Sequence, residues 1–342
     1  MLKRAKSIEL MPSIQESCGY DLARLCSNKK VSQKGEELQC LQSNYKILDA
    51  TCVSSLNYVI KTQNKDIRLD QILYKSCLPT IEKYCEEKRE EKGELLECLI
   101  KQKNNQDMQH MCRVGIEHHQ ILNLNDISFN FKLVKNCKYE MSEHCSQKKT
   151  KMDVVYCLSE LILNDTLLNE NQRVTNKCRR QLKFEMLQTN ENIKLNPKLA
   201  EVCSNDIQML CSNIEYGKGG IIECLRTNQA RLSNQCKFKI FKLAKIGLVE
   251  EGSDYSLKHK CKYAIEKFCH IDSSISTIDC LRKHLLKQSL GHECREVVIN
   301  RIIVENRDVR LNKNLYKTCL PDISRLCSSK YLFFSLSKTF SS

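Results

Sequence analysis

The chain has 342 residues, 41% of them hydrophobic, with ten glycines, four prolines, no tryptophan and a formal net charge of +14. No stretch reaches the roughly eighteen apolar residues of a membrane span, the tail from Tyr331 to Phe340 included. Met1 to Leu10 carries basic charge without the apolar stretch of a secretory signal. Against that background stand 22 cysteines, a density that glutathione and thioredoxin would keep reduced in the cytosol and that points to the secretory lumen or beyond. Zinc modules present their ligands as C-x2-4-C knuckles, and no such pair occurs. Oxidised cysteines without a signal lead us to expect a piece of a longer protein or a mis-assigned terminus.

The cysteines fall into one spacing: a C-x7-C pair, then Cys-Leu after ten to thirteen residues, then a fourth cysteine. In chain order the groups are Cys18/Cys26/Cys40/Cys52, Cys77/Cys85/Cys98/Cys112, Cys137/Cys145/Cys157/Cys178, Cys203/Cys211/Cys224/Cys236 and Cys261/Cys269/Cys280/Cys294, with Cys319/Cys327 opening a sixth. Each fourth cysteine is separated from the next first one by twenty-four residues. A period near sixty is a tandem array, which we divide into repeats at 1–65, 66–125, 126–191, 192–249 and 250–307, with a partial repeat at 308–342. Modules of this size have marginal cores that staples commonly stabilise.

Within a repeat, the first element follows a second ruler. Eleven residues before the first cysteine stand Ser7, Asp66, Asp126, Asn192, Glu250 and Asp308; seven before it stand Met11, Asp70, Asn130, Asn196, Asp254 and Asn312. All but Met11 in the second set are N-cap types, and Pro12 and Pro197 follow at the favoured first helical position. From there Leu73, Cys77, Ile81, Tyr84 and Cys85, like Leu199, Cys203, Ile207, Leu210 and Cys211, or Leu257, Cys261, Ile265, Phe268 and Cys269, mark one helical stripe. The first two cysteines lie about 12 Å apart along such a helix, too far to bond to each other.

Next comes a polar spacer with Gly35, Gly93 or Gly217, Gly219 and Gly220, read as a turn, then a short second helix near the Cys-Leu pair. Asp49, Gln109, Thr175, Ser233 and Gly291, three residues before the fourth cysteines, mark the start of a third helix. It carries Val53, Leu56 and Ile60 in repeat one and Phe238, Phe241 and Leu243 in repeat four. The expected fold is an all-α solenoid of three-helix modules, each packed mainly on its neighbours. Antiparallel packing of the first two helices favours pairing first to fourth and second to third cysteine, with a cross-repeat staple left open. The pattern stops after Cys327, which leaves Cys319 and Cys327 without their expected partners in this chain.

The C-x7-C helix Cys77-Leu78-Pro79-Thr80-Ile81-Glu82-Lys83-Tyr84-Cys85, the steps Glu97-Cys98-Leu99 and Glu223-Cys224-Leu225, and Leu-Tyr-Lys before Cys77 and Cys319 resemble the cysteine-rich repeat family of Golgi apparatus protein 1, also called cysteine-rich fibroblast growth factor receptor or E-selectin ligand. The resemblance implies a luminal segment of a Golgi membrane glycoprotein that binds secreted growth factors of fibroblast growth factor type and affects their trafficking. Membrane attachment would come through a segment outside this chain.

No catalytic constellation, cofactor loop or metal site stands out. The eight histidines, His110, His118, His119, His144, His259, His270, His284 and His292, share no register, and the adjacent pair His118-His119 reads as an exposed helix face. No Gly-rich phosphate loop or Gly-x-Ser-x-Gly elbow occurs. Basic clusters at Lys29-Lys30, Lys148-Lys149, Arg179-Arg180 and from Lys237 to Lys245 suit polyanions such as heparan sulfate, against the plainer reading of solvated helix faces. Nucleic acid is not expected as a partner. Asn164-Asp165-Thr166, the single glycosylation sequon, lies in the twenty-residue spacer between Cys157 and Cys178 and is expected in an exposed loop. The alternative to a growth-factor binder is a structural or adhesion scaffold displaying glycans; the chain is not expected to be an enzyme.

Overall fold

The computed structural model describes residues 12–26, 36–168, 172–269 and 276–326, and among them all regular structure is helical. Ser7, Met11, Lys29-Lys30, Gly35, His270, Cys327 and the tail from Tyr331 lie outside the described residues. The chain divides into two compact units, Met1–Leu158 with Val174–Leu182, and Ser159–Arg173 with Lys183–Ser342.

The first unit opens with α1 (Pro12–Leu25), α2 (Glu36–Ser43) and α3 (Ala50–Lys65), followed by α4 (Gln71–Thr80), α5 (Glu94–Gln102) and α6 (His110–Leu122). It continues through α7 (Phe131–Asn136) and α8 (Lys138–His144); α9 (Lys151–Leu168) and α10 (Asn176–Glu191) have residues in both units. The second unit holds α11 (Pro197–Val202), α12 (Ser204–Leu210), α13 (Gly220–Thr227), α14 (Asn234–Val249), α15 (Tyr255–Lys260), α16 (Lys262–Phe268), α17 (Thr277–Lys283), α18 (His292–Asn306) and α19 (Lys313–Leu326).

Cap chemistry explains where these helices start. Asp70, Asn196, Asp254 and Asn312 accept from the backbone N–H three residues on, while Asp66, Asp126, Asn192 and Asp308 cap a short 3-10 turn that leads into each first helix. Asn130 departs from the rule: its side-chain amide donates to the carbonyls of Asn123, Asp126 and Ile127.

The single first helix expected from the stripe is continuous in repeat one and in the partial sixth repeat, but not in repeats two to five. It passes into a π-turn at Ile81–Cys85 in repeat two and is interrupted at Cys137, Cys203 and Cys261, which leave helical φ at −119°, −96° and −98°. The i→i−4 bonds nevertheless run through each interruption, as from Cys203 N–H to Leu199 and from Ile207 N–H to Cys203. The apolar stripe therefore keeps its face. In repeat three the middle helix is not short: α9 has 18 residues, because Leu158, Ile162, Leu163 and Leu167 extend its buried side beyond the third cysteine.

Each module is stapled twice. The structure joins Cys18–Cys52, Cys77–Cys112, Cys137–Cys178, Cys203–Cys236 and Cys261–Cys294, first to fourth, with Cα atoms 4.6–5.0 Å apart. It joins Cys26–Cys40, Cys85–Cys98, Cys145–Cys157, Cys211–Cys224 and Cys269–Cys280, second to third. Apolar cores form around these sulfurs. The core of repeat one gathers Ile14, Leu38, Leu41, Leu56 and Ile60 about its four cysteines, and Leu122 and Phe129 from the two following repeats complete it. Such sharing is what a module too small for its own core requires.

Chain-entropy arithmetic ranks the staples. Replacing Cys203 and Cys236 by serine opens a closure of 33 residues and is expected to cost ~4 kcal/mol, against ~3 kcal/mol for Cys211 and Cys224 at separation 13. Urea unfolding of the two double variants checks this; the reverse order of midpoints would contradict it.

Candidate functional site

A carboxylate three residues after the first cysteine lies buried in repeats one, three and four: Asp21, Glu140 and Asp206. Each reaches across the first-to-fourth staple to the start of the third helix. Asp21 accepts from Asp49 N–H at 2.8 Å, Glu140 from Thr175 N–H and hydroxyl at 3.0 and 2.6 Å, and Asp206 from Ser233 N–H and hydroxyl at 2.8 and 2.7 Å. Thr175 and Ser233 hydroxyls in turn accept from the fourth-cysteine N–H. Repeats two and five have Thr80 and Ala264 at this register, and there Gln109 and Gly291 make no side-chain cap. The recurrence Asp, Thr, Glu, Asp, Ala was readable in the sequence, but its partner sits more than twenty residues away.

The glutamates of the Glu-Cys-Leu steps join neighbouring repeats. Glu97 accepts from Lys132 Nζ at 3.0 Å and from Gln181 at 2.7 Å, both in repeat three. Glu223 of repeat four accepts from both terminal nitrogens of Arg301 in repeat five at 3.0 Å. Arg301 is 1% exposed, and it also donates to both oxygens of Asp254 at 2.7 and 2.9 Å. One guanidinium thus grips the helix cap of its own module and the glutamate of the previous one, in the bidentate geometry that arginine favours. Arg226 lies 3.5 Å from both carboxylates and completes a buried, charge-balanced group of four.

Seven residues after the fourth cysteine, the register of Arg301, repeat two places His119. Its Nε2 lies 2.8 Å from Asp70 Oδ2, the cap of its own module, and its Nδ1 lies 3.2 Å from Asn64 Oδ1 in repeat one. His118 meets Gln42 of repeat one at 3.3 Å. The exposed face expected for this pair is therefore corrected: His119 is 2% exposed, buried because the two repeats pack over it. Burial raises the Asp70 carboxyl, but the His119 bond and charge outweigh it and hold the group below the usual range. Burial and the neighbouring His119 charge push His118 down.

Two turn glycines sit where three successive repeats meet. Gly93 and Gly219 adopt φ of 77° and 74°, and their N–H groups donate to Lys65 and Glu191 at the end of the preceding repeat. A Cβ on Gly93 would lie 2.9 Å from Phe131, and one on Gly219 would lie 3.0 Å from Tyr255, the first helical residues of the following repeat.

The interior is acidic. Twelve carboxylates but only four lysine or arginine side chains are buried among the described residues, so the surface is more basic than the whole-chain balance. Lys148, Lys149, Arg180 and Lys239 are exposed and Phe238 stands 63% exposed, whereas Lys242 and Lys245 pair with Glu160 and Asp308. Asn164 is exposed but helical, within α9 rather than in a loop. The buried stripe of α9 carries the helix through the sequon, whose Asp165 is bound by Arg173 and whose Thr166 hydroxyl donates to Ile162. Cys319 is a half-buried free thiol. Among the described residues no cluster of three or more metal-ligating side chains occurs, and no helix is long and apolar enough to cross a membrane.

These features define a tandem repeat protein of disulfide-stapled helical modules clamped to one another by buried polar contacts. A family model described as cysteine rich repeat, of the Cys-rich FGFR type, matches residues 1–49, 50–107, 110–166, 176–232 and 292–338. Golgi apparatus protein 1 of Homo sapiens is 36% identical over 95% of this chain, that of Gallus gallus 35% over 96%, and the Caenorhabditis elegans homolog 31% over 95%. The chain belongs to the cysteine-rich repeat family of Golgi apparatus protein 1. It spans 28% of the length of the human relative, 29% of the chicken and 30% of the nematode one. No solved structure matches.

The buried clamp makes stability acid-sensitive. Burial raises Glu223, yet Arg301 and Arg226 outweigh it and hold its pKa at about 2; Asp254 is lowered by the same charges. Both contributions are fully present above the unfolded carboxylate values and are lost as pH falls from ~4.5 toward ~2. Urea midpoints of repeats four and five should be flat from neutral pH to about 5 and fall below it. Arg301→Leu, which strands two buried carboxylates, should cost about 3–5 kcal/mol at neutral pH and reduce that acid-driven loss. Gly219→Ala should cost at least ~1–2 kcal/mol from the left-handed backbone alone; thermal unfolding at unchanged midpoint would refute the three-repeat contact.

Proposed function

We propose that this chain is a non-enzymatic binding array in the Golgi lumen, a segment of a longer membrane-attached glycoprotein, whose exposed module faces hold secreted growth factors of fibroblast growth factor type in transit. The carrying observation is membership of the cysteine-rich FGFR repeat family along most of the chain. The relatives' name supports the Golgi setting. Ten disulfides suit an oxidising lumen. Rigid modules repeated in series offer several copies of a surface and therefore avidity toward a clustered partner.

Equilibrium binding of a fibroblast growth factor to the full chain, secreted and oxidised, is the test. Binding that survives moderate salt and disappears on reduction is expected, because the surface depends on stapled modules. Absence of binding, or salt-sensitive binding equal in both redox states, would overturn the growth-factor reading and leave a scaffold that spaces other parts of the protein.

A further inference from the structure

We propose that repeat five carries a binding site for a sulfated polysaccharide, built around the Cys269–Cys280 staple from Lys267, Lys287 and the ring of Phe268. Both ammonium groups stand over this one ring, at 5.5 and 5.1 Å from its centroid, and the His284 ring stacks on it at 4.6 Å. Lys267 also lies over Tyr263, which is 64% exposed. The turn carrying Lys287 is fixed from below, since Arg295 donates to the carbonyls of Leu285 and Lys287 at 3.0 and 3.1 Å. Cationic groups held on aromatic faces are pre-positioned for anions.

Repeat two supplies an internal comparison at the same registers. Its turn is fixed by the equivalent arginine, Arg113, donating to the carbonyls of Lys103 and Asn105. There Lys83 likewise stands over an aromatic ring, Tyr84, at 5.0 Å. Asp107 neutralises it, bonding both Lys83 and the Tyr84 hydroxyl. In repeat five the register of Asp107 holds Ser289, and that of Asn105 holds Lys287. The same scaffold has exchanged a neutral rim for two cations with no carboxylate partner among the described residues, Lys267 donating to the Tyr263 hydroxyl at 3.3 Å.

No carboxylate among the described residues pairs with Lys267 or Lys287. Among the described residues of 255–290, Glu266 faces Lys262 and Asp279 pairs with Arg282. Lys258, Lys260 and Lys283 are also exposed on this repeat. Burial chiefly holds His259 below its usual value; the charges of Lys258 and Lys262 add to this and Glu191 opposes it. A linear chain bearing sulfates at intervals meets several such cations at once, and its sugar rings can rest on the exposed Tyr263 and on Leu286, 96% exposed. Sulfated glycan is favoured over nucleic acid because the disulfides suit an oxidising lumen.

The site shares with the growth-factor reading only that setting, and it is tested without a growth factor, so either reading can fail alone. The oxidised full chain is titrated with a heparin oligosaccharide, the same oligosaccharide fully desulfated, and single-stranded DNA of matched length. Heparin binding should weaken roughly tenfold in the double variant Lys267→Gln, Lys287→Gln, as two exposed cation contacts are lost. Ser289→Asp, which installs the carboxylate of repeat two, should weaken it several-fold, and Lys83→Gln should leave it unchanged. Undiminished binding in the repeat-five variants, no binding by the wild type, or equal binding of desulfated oligosaccharide or DNA would each overturn the proposal.

Discussion

The first-to-fourth disulfide is the constraint on which each module depends. It holds the first and third helices at Cα separations of 4.6–5.0 Å, a distance at which the start of the third helix falls within reach of side chains on the first. That proximity lets Asp21, Glu140 and Asp206 be buried at all: each finds the unsatisfied N–H groups of a helix end one turn past the staple. The second-to-third bond ties the far end of the first helix to the middle helix, across the polar spacer that varies in length. A module with a core built around sulfur can tolerate that variation because its register is fixed covalently on either side.

Between modules the fixed distance of twenty-four residues from fourth to next first cysteine has a structural counterpart. It contains the end of a third helix, a capped 3-10 turn and the next first-helix cap, a rigid connector with its own hydrogen bonds. In repeats two and five the residue seven places beyond the fourth cysteine lies beside the cap of its own module and a side chain of the previous one. Arg301 and His119 use that location with different chemistry. The first makes a permanently charged clamp, the second a contact through an imidazole. Replacing a buried ionic group by apolar residues of like volume is often no less stable, so these groups are best understood as fixing the angle and register of one module on another.

Much of the fold was legible in the sequence because the signals were local. Caps at Asp70, Asn196 and Asp254, the stripe through Leu199, Cys203 and Ile207, and the turn glycines each depend on neighbours within one or two helical turns. Most of what was not legible depended on residues far apart in the chain, beyond the reach of one helix. His119 looked like an exposed residue because its burial is caused by Asn64 and Asp70. Glu97 and Glu223 were visible as a recurring step before cysteine, but their partners Gln181 and Arg301 become neighbours only after two repeats have packed. The long α9 was hidden by the sequon, whose polar residues suggested a loop while Leu158, Ile162 and Leu167 continued the buried side.

Burying acids has a consequence for the outer surface. Carboxylates cap helices and clamp modules inside, where Asp21, Glu97, Glu140, Asp206, Glu223 and Asp254 are all nearly inaccessible, and most lysines remain outside. The same interactions that fix the modules therefore leave an electropositive exterior, with no need for a separate basic domain. Local differences in that exterior arise from single register positions, as with Asp107 in repeat two and Ser289 in repeat five. Repetition supplies the rigid frame, and one substituted rim residue per module is enough to distinguish one surface from the next.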